Sequence, residues 1–505
     1  MTNILIDALL TGAKAKPDRV FAQFSDGTTR SRGALAEGAA RMAQVLVDLG
    51  VKPGDRVAVQ VGKTLTALEV YLGTVMAGGV FLPLNTAYTA TEVEYFLSNA
   101  TPRVFICDPK HIEALTPVAT HAGCAHIETL DQLGSGSLVE KAAAVTPMAQ
   151  AVERGEEDLA AILYTSGTTG RSKGAMLSHR ALLSNSQSLA GHWRFTQDDV
   201  LIHALPIYHT HGLFVASNVA LLSGASVHFL PSFDADAILD AMPEATALMG
   251  VPTFYTRLLA DPRLTKDHVS NMRLFISGSA PLLAETHKEW EARTGHRILE
   301  RYGMTETNMN TSNPYEGERR AGTVGFPLPG VELRIMGEDG VEVAQGEIGI
   351  LEVRGPNVFS GYWQMPEKTR EELRQDGWFI TGDLGKLDED GYVVIVGRGK
   401  DLVISGGFNV YPKEVEEVLD DLEGVVESAV IGVPHPDFGE GVVAVVVSDA
   451  KVELTESQVI SEISQKLAKF KQPKRIFFVE ALPRNTMGKV QKAVLRETYA
   501  GLFAE

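Results

Sequence analysis

The sequence predicts an α/β protein with a large N-terminal domain of covered, mostly parallel sheets, an antiparallel subdomain, and a small α+β C-terminal domain on a hinge. Three observations support this fold class. Short apolar runs alternate with amphipathic, helix-like segments over the first part of the chain. Polar turns rich in Gly, Ser and Thr directly follow several of these runs. Further on, the strands shorten and Asp-Gly turns become common, which favours antiparallel pairing.

The first hundred or so residues establish the alternation. A helix that ends at a glycine is followed by a strand, and the same order then repeats. Strands that alternate with helices favour a parallel sheet covered on both faces. A later stretch rich in Ser, Ala, Gly and Glu is expected to be a loose connection. In chain order we predict helix 32–49, strand 56–61, helix 64–76, a strand leading to 83–85, helix 91–99, strand 104–107 and the loose connection 133–158.

The stretch from Tyr164 to Gly174 follows the apolar run 159–163, which is short enough to be a buried strand. Its glycines allow tight turns and a close approach to a ligand. Its hydroxyl and backbone N–H groups can donate to phosphate oxygens, and Lys173 adds a positive charge. The spacing does not fit the P-loop pattern G-x-x-x-x-G-K-[ST]. The stretch is therefore either a phosphate-binding loop of another kind or a flexible surface turn.

The alternation resumes after this loop. Several apolar strands run directly into polar Gly/Ser/Thr turns, and in open α/β sheets that end of the strands is where ligands bind. The helix that begins at Pro252 has proline at its first position, where a missing N–H is tolerated. The predicted elements are helix 179–190, strand 199–205, helix 213–222, strand 226–230, a strand ending near 251, and strands 274–276 and 298–299.

From about residue 330 to residue 398 the pattern is that of an antiparallel subdomain. Gly399 and Lys400 lie in a glycine-flanked, charged segment, 399–401, that makes a plausible hinge. Residues 402–505 suffice for a small α+β C-terminal domain of their own. Its predicted elements are helix 412–421, strands 425–433 and 442–448, and helix 457–467.

Composition excludes some classes of protein. With 505 residues the length suggests about three domains, and 44% hydrophobic and 22% charged residues indicate a folded globular chain. The net charge of −18 argues against a nucleic-acid partner. Cys107 and Cys124 favour a reducing compartment without a disulfide framework. No signal peptide or apolar run of ~18 residues is evident, so we expect a cytoplasmic protein with no membrane partner.

Seven motifs in one order lead to a resemblance that covers nearly the whole chain. The chain resembles the ANL superfamily of adenylate-forming enzymes, which includes the acyl-CoA synthetases. Within it, the stretches 208–212, 251–257 and 301–307 are most similar to malonyl-CoA and methylmalonyl-CoA synthetases. The motifs are Tyr164–Gly174, Ser277–Leu282, Tyr302–Thr307, Thr381–Asp383, Gly397–Asp401, Ser405–Asn409 and Pro483–Lys489.

The resemblance implies an ATP-dependent acid–CoA ligase. A carboxylate such as malonate, and also methylmalonate, would attack the α-phosphate of Mg-ATP to give an acyl-adenylate and pyrophosphate. The thiol of coenzyme A would then displace AMP. A ligase for another short-chain or aryl carboxylate, a luciferase-like oxygenase and a non-catalytic nucleotide sensor remain the alternatives.

The resemblance also assigns roles to residues. Lys489 would be the main cation at the α-phosphate, Thr305 a donor to it, and Glu306 the Mg²⁺ ligand, since Mg²⁺ prefers carboxylate and phosphate oxygens. Asp383 would accept from the ribose hydroxyls, and Tyr302 would face the adenine. The full nucleotide set is Thr165, Ser166, Gly167, Thr168, Thr169, Gly170, Lys173, Ser279, Ala280, Pro281, Arg301, Tyr302, Gly303, Met304, Asp383 and Arg398.

A malonate enzyme needs a cation for the second carboxylate, because an unpaired buried charge is costly. Arg257 is the first candidate: it follows Thr253 by four residues, so both would face one side of a helix. Arg301 is the second. The alternative for Arg257 is an ordinary surface arginine. His209, His211, Ser277 and Ser279 are the other candidates for the acyl pocket, although a lone histidine is more often structural.

Two reactions at one site require a rearrangement. The resemblance implies that the C-terminal domain rotates about Lys400, which withdraws Lys489 and brings Gly406, Gly407 and Phe408 to the acyl side to form a tunnel for coenzyme A. A protein lysine acyltransferase that modifies Lys489 is a further expected partner, because acylation removes the charge of the lysine.

Overall fold

The structure is a computed structural model, and it describes residues 3–165, 172–405, 408–449, 452, 454–464, 466–467, 469–485 and 488–503. The glycine-rich loop residues 166–171, Gly406 and Gly407 therefore lie outside the described residues, and the predictions made for them remain predictions.

The strands of the described residues are, in chain order, β1 Val20–Gln23, β2 Thr29–Ser31, β3 Arg56–Gln60, β4 Val80–Pro83, β5 Val104–Cys107, β6 His126–Thr129, β7 Leu159–Tyr164, β8 Gly174–Ser178, β9 Val200–His203, β10 Ser226–Phe229, β11 Ala247–Gly250, β12 Leu274–Ser277, β13 Leu299–Met304, β14 Asn308–Ser312, β15 Phe326–Pro327, β16 Glu332–Met336, β17 Gly349–Arg354, β18 Phe379–Leu387, β19 Val393–Arg398, β20 Val403–Ser405, β21 Phe408–Val410, β22 Val425–His435, β23 Gly439–Ser448 and β24 Arg475–Val479.

Several helices are preceded by a side chain that caps their first turn. Ser31, Thr64 and Ser178 each accept a hydrogen bond from a backbone N–H three residues on, which caps the helix that follows. The α-helices are α1 Ile4–Leu9, α2 Thr11–Ala15, α3 Arg32–Asp48, α4 Leu65–Met76, α5 Ala90–Ala100, α6 Ile112–His121, α7 Ser137–Ala144, α8 His179–His192, α9 Asn218–Ser223, α10 Ala235–Ala241, α11 Pro252–Leu259, α12 Ala284–Thr294, α13 Pro366–Glu372, α14 Pro412–Asp420, α15 Glu456–Ile463 and α16 Lys492–Tyr499.

The chain divides into two compact units. The first comprises residues 1–332 and 353–379, and the second comprises residues 333–352 and 380–505. The sequence predicts domains at 1–398 and 402–505, joined by a hinge at 399–401. The proposed hinge at 399–401 is a short 3₁₀ turn of the second unit.

The first unit contains two large sheets. One has the strand order β6-β5-β3-β4-β7-β8, and the other β15-β14-β13-β12-β11-β9-β10-β1-β2. Neighbours in the middle of both sheets pair in parallel, whereas β8, β14 and β2 pair antiparallel near the edges. Strands such as β4, β5 and β11 are buried along their whole length, as expected for covered parallel sheets.

The second unit holds two smaller sheets. Most of the sheet β16-β17-β18-β19 belongs to it, and β18 pairs antiparallel with β19. The other sheet has the order β21-β20-β23-β22, with β24 parallel to β23. Apolar residues of β23, α14 and α15, such as Ala444, Val415 and Ile463, form the core on one face of this sheet.

The predicted fold class is confirmed, with parallel sheets first and antiparallel sheets later in the chain. The structure differs from the local predictions in three places. The stretch 133–158 contains α7, because Leu138 and Ala142 pack inward. Residues 174–178 form β8, for which the sequence predicts no element. The helix predicted over 213–222 begins as a π-helical segment, His211–Ser217, before α9.

Candidate functional site

One edge of the nine-stranded sheet of the first unit collects most of the predicted acyl-pocket residues. β9, β11, β12 and β13 are parallel neighbours, so their carboxyl ends share an edge. The segments that leave these ends contain residues 204–212, 251–257, 278–282 and 305–307.

His211 and Ser279 meet at this edge. Ser279 Oγ lies 3.2 Å from His211 Nδ1. Ser279 has a left-handed backbone with φ of 74°, which a residue with a side chain adopts only at a cost. Burial lowers the pKa of His211 well below its usual value, and the charges of Arg301 and His203 lower it further. His211 is therefore a neutral imidazole at neutral pH.

Arg301 is a buried cation, with only 3% of its surface exposed. Its Nε and Nη2 atoms are buried and have no hydrogen-bond partner among the described residues. Burial lowers the pKa of Arg301 to about 9, against a small opposing effect of Tyr255. A side chain at position 278 would collide with the guanidinium, so Gly278 is needed for Arg301 to lie where it does.

Other polar atoms of this region are also buried. Ser277 Oγ, His209 Nε2 and His211 Nε2 have no hydrogen-bond partner within the described part of the chain. Burial lowers the pKa of His209 to about 4, so this imidazole is neutral as well. Buried polar atoms without partners are rare in folded proteins and require an explanation, such as a ligand.

Arg257 lies on α11 and is exposed. Its guanidinium carbon lies 5.3 Å from the ring centre of Phe233, which in turn packs against Phe254. The two predicted cations therefore differ in environment. Arg257 is solvated and rests on an aromatic ring, whereas Arg301 is enclosed.

Glu306 and Lys173 belong to one hydrogen-bonded cluster of the first unit. Tyr362 Oη lies 2.9 Å from Glu306 Oε1 and 2.5 Å from Glu372 Oε2. Lys173 Nζ lies 3.1 Å from Tyr362 Oη and from both carboxylate oxygens of Glu372. Glu306 and Lys173 are predicted from the sequence, whereas Tyr362 and Glu372 are not. No short-range signal could have found these two, since the lysine and Glu372 are 199 residues apart.

The glycine-rich loop connects β7 to β8. Its two ends meet, because the Thr165 N–H donates to the carbonyl of Lys173 over 2.9 Å. The predicted phosphate ligands Ser166, Gly167, Thr168, Thr169 and Gly170 lie outside the described residues. The hairpin around them fixes where the loop begins and ends.

The remaining nucleotide candidates of the first unit lie close to the same strand ends. Tyr302 is half-buried, with its hydroxyl oxygen 3.9 Å from Met304 Sδ. Gly303 and Thr305 are also half-buried, as are Ser279 and Ala280, whereas Pro281 is exposed. These residues border the edge where the buried Arg301 lies.

The second unit brings four of its predicted site residues together. Arg398 Nε lies 2.7 Å from Asp383 Oδ1. Burial lowers the pKa of Lys489, as does the charge of Arg398, while Asp383 and Asp401 oppose this. Burial and the charges of Arg398 and Lys489 likewise lower the pKa of Lys400. Three cations around two carboxylates form a group with excess positive charge, which suits a phosphate.

The backbone also positions Lys489. Asn485 accepts a hydrogen bond from the Lys489 N–H at its side-chain oxygen, and its own N–H donates to the carbonyl of Lys489, each over 2.9 Å. Phe408, the described member of the predicted tunnel segment, is exposed and stacks on Phe470 with ring centres 4.7 Å apart.

Comparisons with known proteins identify the family. Residues 10–363 match the AMP-binding enzyme family, and residues 414–489 match the AMP-binding enzyme C-terminal domain. The chain belongs to the family of AMP-binding enzymes. The predicted resemblance is therefore confirmed at the level of the family.

Individual relatives cover nearly all of this AMP-binding enzyme. The crystal structure of ATP-bound MatB from Rhodopseudomonas palustris is 60% identical, covers 100% of both chains and superposes with a TM-score of 0.97. A malonate–CoA ligase from Arabidopsis thaliana is 33% identical over 94% of this chain and 85% of its own. A feruloyl-CoA synthase from an Amycolatopsis species is 36% identical over 94% of each chain.

Two features are absent from the part of the chain that the structure describes. No helix there combines the length and the hydropathy that crossing a membrane requires. Nor do three or more His, Cys, Asp or Glu side chains of that part of the chain converge as a metal-ion site.

Proposed function

We propose that this AMP-binding enzyme is an ATP-dependent ligase that converts malonate, and also methylmalonate, to the CoA thioester through an acyl-AMP intermediate. Pyrophosphate and AMP would be the other products. The observation that carries the choice of acid is the buried Arg301, whose Nε and Nη2 have no partner among the described residues.

A buried guanidinium without a carboxylate partner calls for an anion. Leaving it unpaired is costly, and an arginine can hold a carboxylate through two parallel hydrogen bonds. A dicarboxylate has one carboxylate for the reaction and a second for this arginine. A fatty acid has only an apolar tail to offer, which Arg301 would not accommodate.

The neighbouring polar atoms support a small, polar acid. Ser277 Oγ can donate a hydrogen bond, and the ring nitrogens of His209 and His211 can donate when they carry the proton. Because both imidazoles are neutral, they add hydrogen bonds without adding charge. Malonate offers four carboxylate oxygens to such donors.

We assign Arg257 a supporting role. It is exposed and its charge is screened by water, so it would attract the dianion to the site rather than hold it. Arg301 would provide the main interaction with the second carboxylate.

For the nucleotide, Glu306 and Thr305 would hold Mg²⁺ and the phosphates, and Lys173 would bind the β- and γ-phosphates. The donor set suits Mg²⁺, which is often held by one or two carboxylates together with substrate phosphates. When bound, the ion would neutralise charge on the phosphates. The roles of Lys489 at the α-phosphate, of Asp383 and Arg398 at the ribose, and of a rotation about Lys400 remain predictions of the sequence, as does a lysine acyltransferase.

The test is a panel of acids assayed with ATP, Mg²⁺ and coenzyme A. AMP formation that depends on coenzyme A should be fastest with malonate, followed by methylmalonate, and near background with acetate, benzoate and ferulate. Preference for ferulate or benzoate would favour the aryl-acid alternative, which the similarity to a feruloyl-CoA synthase keeps open. ATP binding without AMP formation for any acid would favour a nucleotide sensor.

A further inference from the structure

The cluster around Lys173 offers an inference about how the enzyme handles its phosphates. The three donors of the ammonium group face Glu372 Oε1, Glu372 Oε2 and Tyr362 Oη, each at 3.1 Å. The ammonium also lies 4.1 Å from the centre of the Tyr362 ring. Glu372 is thus the carboxylate partner of Lys173, and it also pairs with Lys368, whose Nζ lies 3.0 Å from Glu372 Oε1.

The backbone holds the cluster in place. The N–H groups of Ser360 and Trp363 donate to the carbonyls of Met176 and Gly174 in β8, each over 2.8 Å. The Tyr362 N–H donates to Thr369 Oγ1 in α13 over 2.9 Å, and Glu372 is the last residue of that helix. The contact between Lys173 and Glu372 is therefore built into the fold rather than made by two freely moving side chains.

The Tyr362 hydroxyl lies between two carboxylates and can donate a hydrogen bond to one of them at a time. Its hydroxyl oxygen is within hydrogen-bond distance of both Glu306 and Glu372, but a hydroxyl donates only one hydrogen bond. Burial and the two carboxylates raise the pKa of Tyr362, so the proton stays on the phenol. Burial opposes ionisation of Glu372, but hydrogen bonds from Tyr362 and Lys368 and the charge of Lys173 lower the pKa of its carboxyl.

We propose that Glu372 is the built-in counter-ion of Lys173, which weakens the hold of this lysine on phosphate and so allows pyrophosphate to leave. Both side chains are 23% exposed, so a phosphate can reach the lysine and compete with the carboxylate. Without the Glu372 carboxylate, Lys173 would bind ATP more tightly, but it would also retain pyrophosphate more tightly. The inference rests on the proposed assignment of Lys173 to the phosphates of ATP.

The test combines Glu372→Gln with Lys173→Ala. Glu372→Gln should tighten the binding of ATP and the inhibition by pyrophosphate, each on the order of fivefold, as expected for a partly exposed ion pair. The KM for ATP should fall while kcat falls or stays level, because product release slows. Lys173→Ala should weaken both affinities, and adding Glu372→Gln to it should change them less than about twofold.

Glu371→Gln is the matched control. It removes the same charge one residue away: Glu371 contacts Lys368 at 2.8 Å, the lysine that also pairs with Glu372. It should leave the affinity for pyrophosphate unchanged. If Glu372→Gln fails to fold, Glu372→Asp keeps the charge but shortens its reach, and should shift the affinity for pyrophosphate in the same direction by a smaller factor.

Several results would overturn the inference. One is weaker or unchanged pyrophosphate binding in Glu372→Gln. A second is an equal change in pyrophosphate affinity in Glu371→Gln. A third is that Glu372→Gln still tightens pyrophosphate binding when Lys173 is replaced by Ala. If Lys173→Ala itself left both affinities unchanged, the assignment of Lys173 to phosphate would fall too. If Lys173→Ala weakened the binding of ATP and pyrophosphate as expected but Glu372→Gln left it unchanged, only the counter-ion role of Glu372 would be wrong.

Discussion

Two cations of the first unit, Arg301 and Lys173, lie in contrasting surroundings. Arg301 is almost wholly buried, and two of its nitrogens have no hydrogen-bond partner among the described residues. Lys173 is more exposed, yet Glu372 and Tyr362 occupy its donors. The more deeply buried charge is thus the one whose Nε and Nη2 lack a hydrogen-bond partner among the described residues.

The contrast separates two ways of binding an anion. A buried, unpaired guanidinium gains most from a specific anion, so it favours selectivity. A lysine that already has a counter-ion gains less from a phosphate, and it can release that phosphate again. On this account Arg301 selects the acid, whereas Lys173 exchanges ATP and pyrophosphate.

The largest effect is expected from Arg301→Met. Loss of a buried charge-assisted interaction should lower kcat/KM for malonate by on the order of 10²- to 10³-fold. The KM for ATP should change by less than about threefold, measured by malonate-dependent exchange between ATP and pyrophosphate.

Stability provides the control for Arg301→Met. Because an unpaired buried charge destabilises the fold, the melting temperature should be equal to or higher than that of the parent enzyme. A lower melting temperature with unchanged malonate kinetics would mean that Arg301 stabilises the fold and does not select the acid.

A pH profile should give an intermediate effect. The pKa of Arg301 is lowered to about 9, so its charge is complete at neutral pH and is lost as the pH rises through about 9. In the adenylation assay, kcat/KM for malonate should therefore fall by up to about tenfold per pH unit above that value. A profile that stays flat up to pH 10, or falls equally in Arg301→Met, would contradict this.

The smallest effect is expected from Arg257→Ala. An exposed charge contributes little to a held ligand, so kcat/KM for malonate should fall by less than about tenfold, with more loss at low than at high ionic strength. Steady-state kinetics at two salt concentrations measure this. A loss of kcat/KM as large as that of Arg301→Met would contradict the supporting role assigned to Arg257.

The sequence predicted the fold well where a local pattern carries the information. The strand at 104–107 was predicted with its observed bounds, because a short apolar run between turns is a local signal. The Asp-Gly turns after residue 330 indicated the antiparallel region. The strand β8 was missed because it is short and follows the polar loop directly.

The site was predictable in its residue types but not in its environments. His211, Ser279 and Arg301 could be named from their motifs, yet the burial of Arg301 and the exposure of Arg257 depend on packing between distant segments. The contact of Lys173 with Glu372 joins the residue before β8 to the end of α13 across 199 residues. Nothing in either local sequence specifies that pairing.

The most direct test of the account is a crystal structure of the enzyme with malonate and a non-hydrolysable ATP analogue. We predict that the carboxylate remote from the α-phosphate accepts hydrogen bonds from Arg301 Nε and Nη2 at about 3 Å. A malonate whose second carboxylate faces solvent or Arg257, with Arg301 still unpaired, would contradict the claim that Arg301 selects the acid.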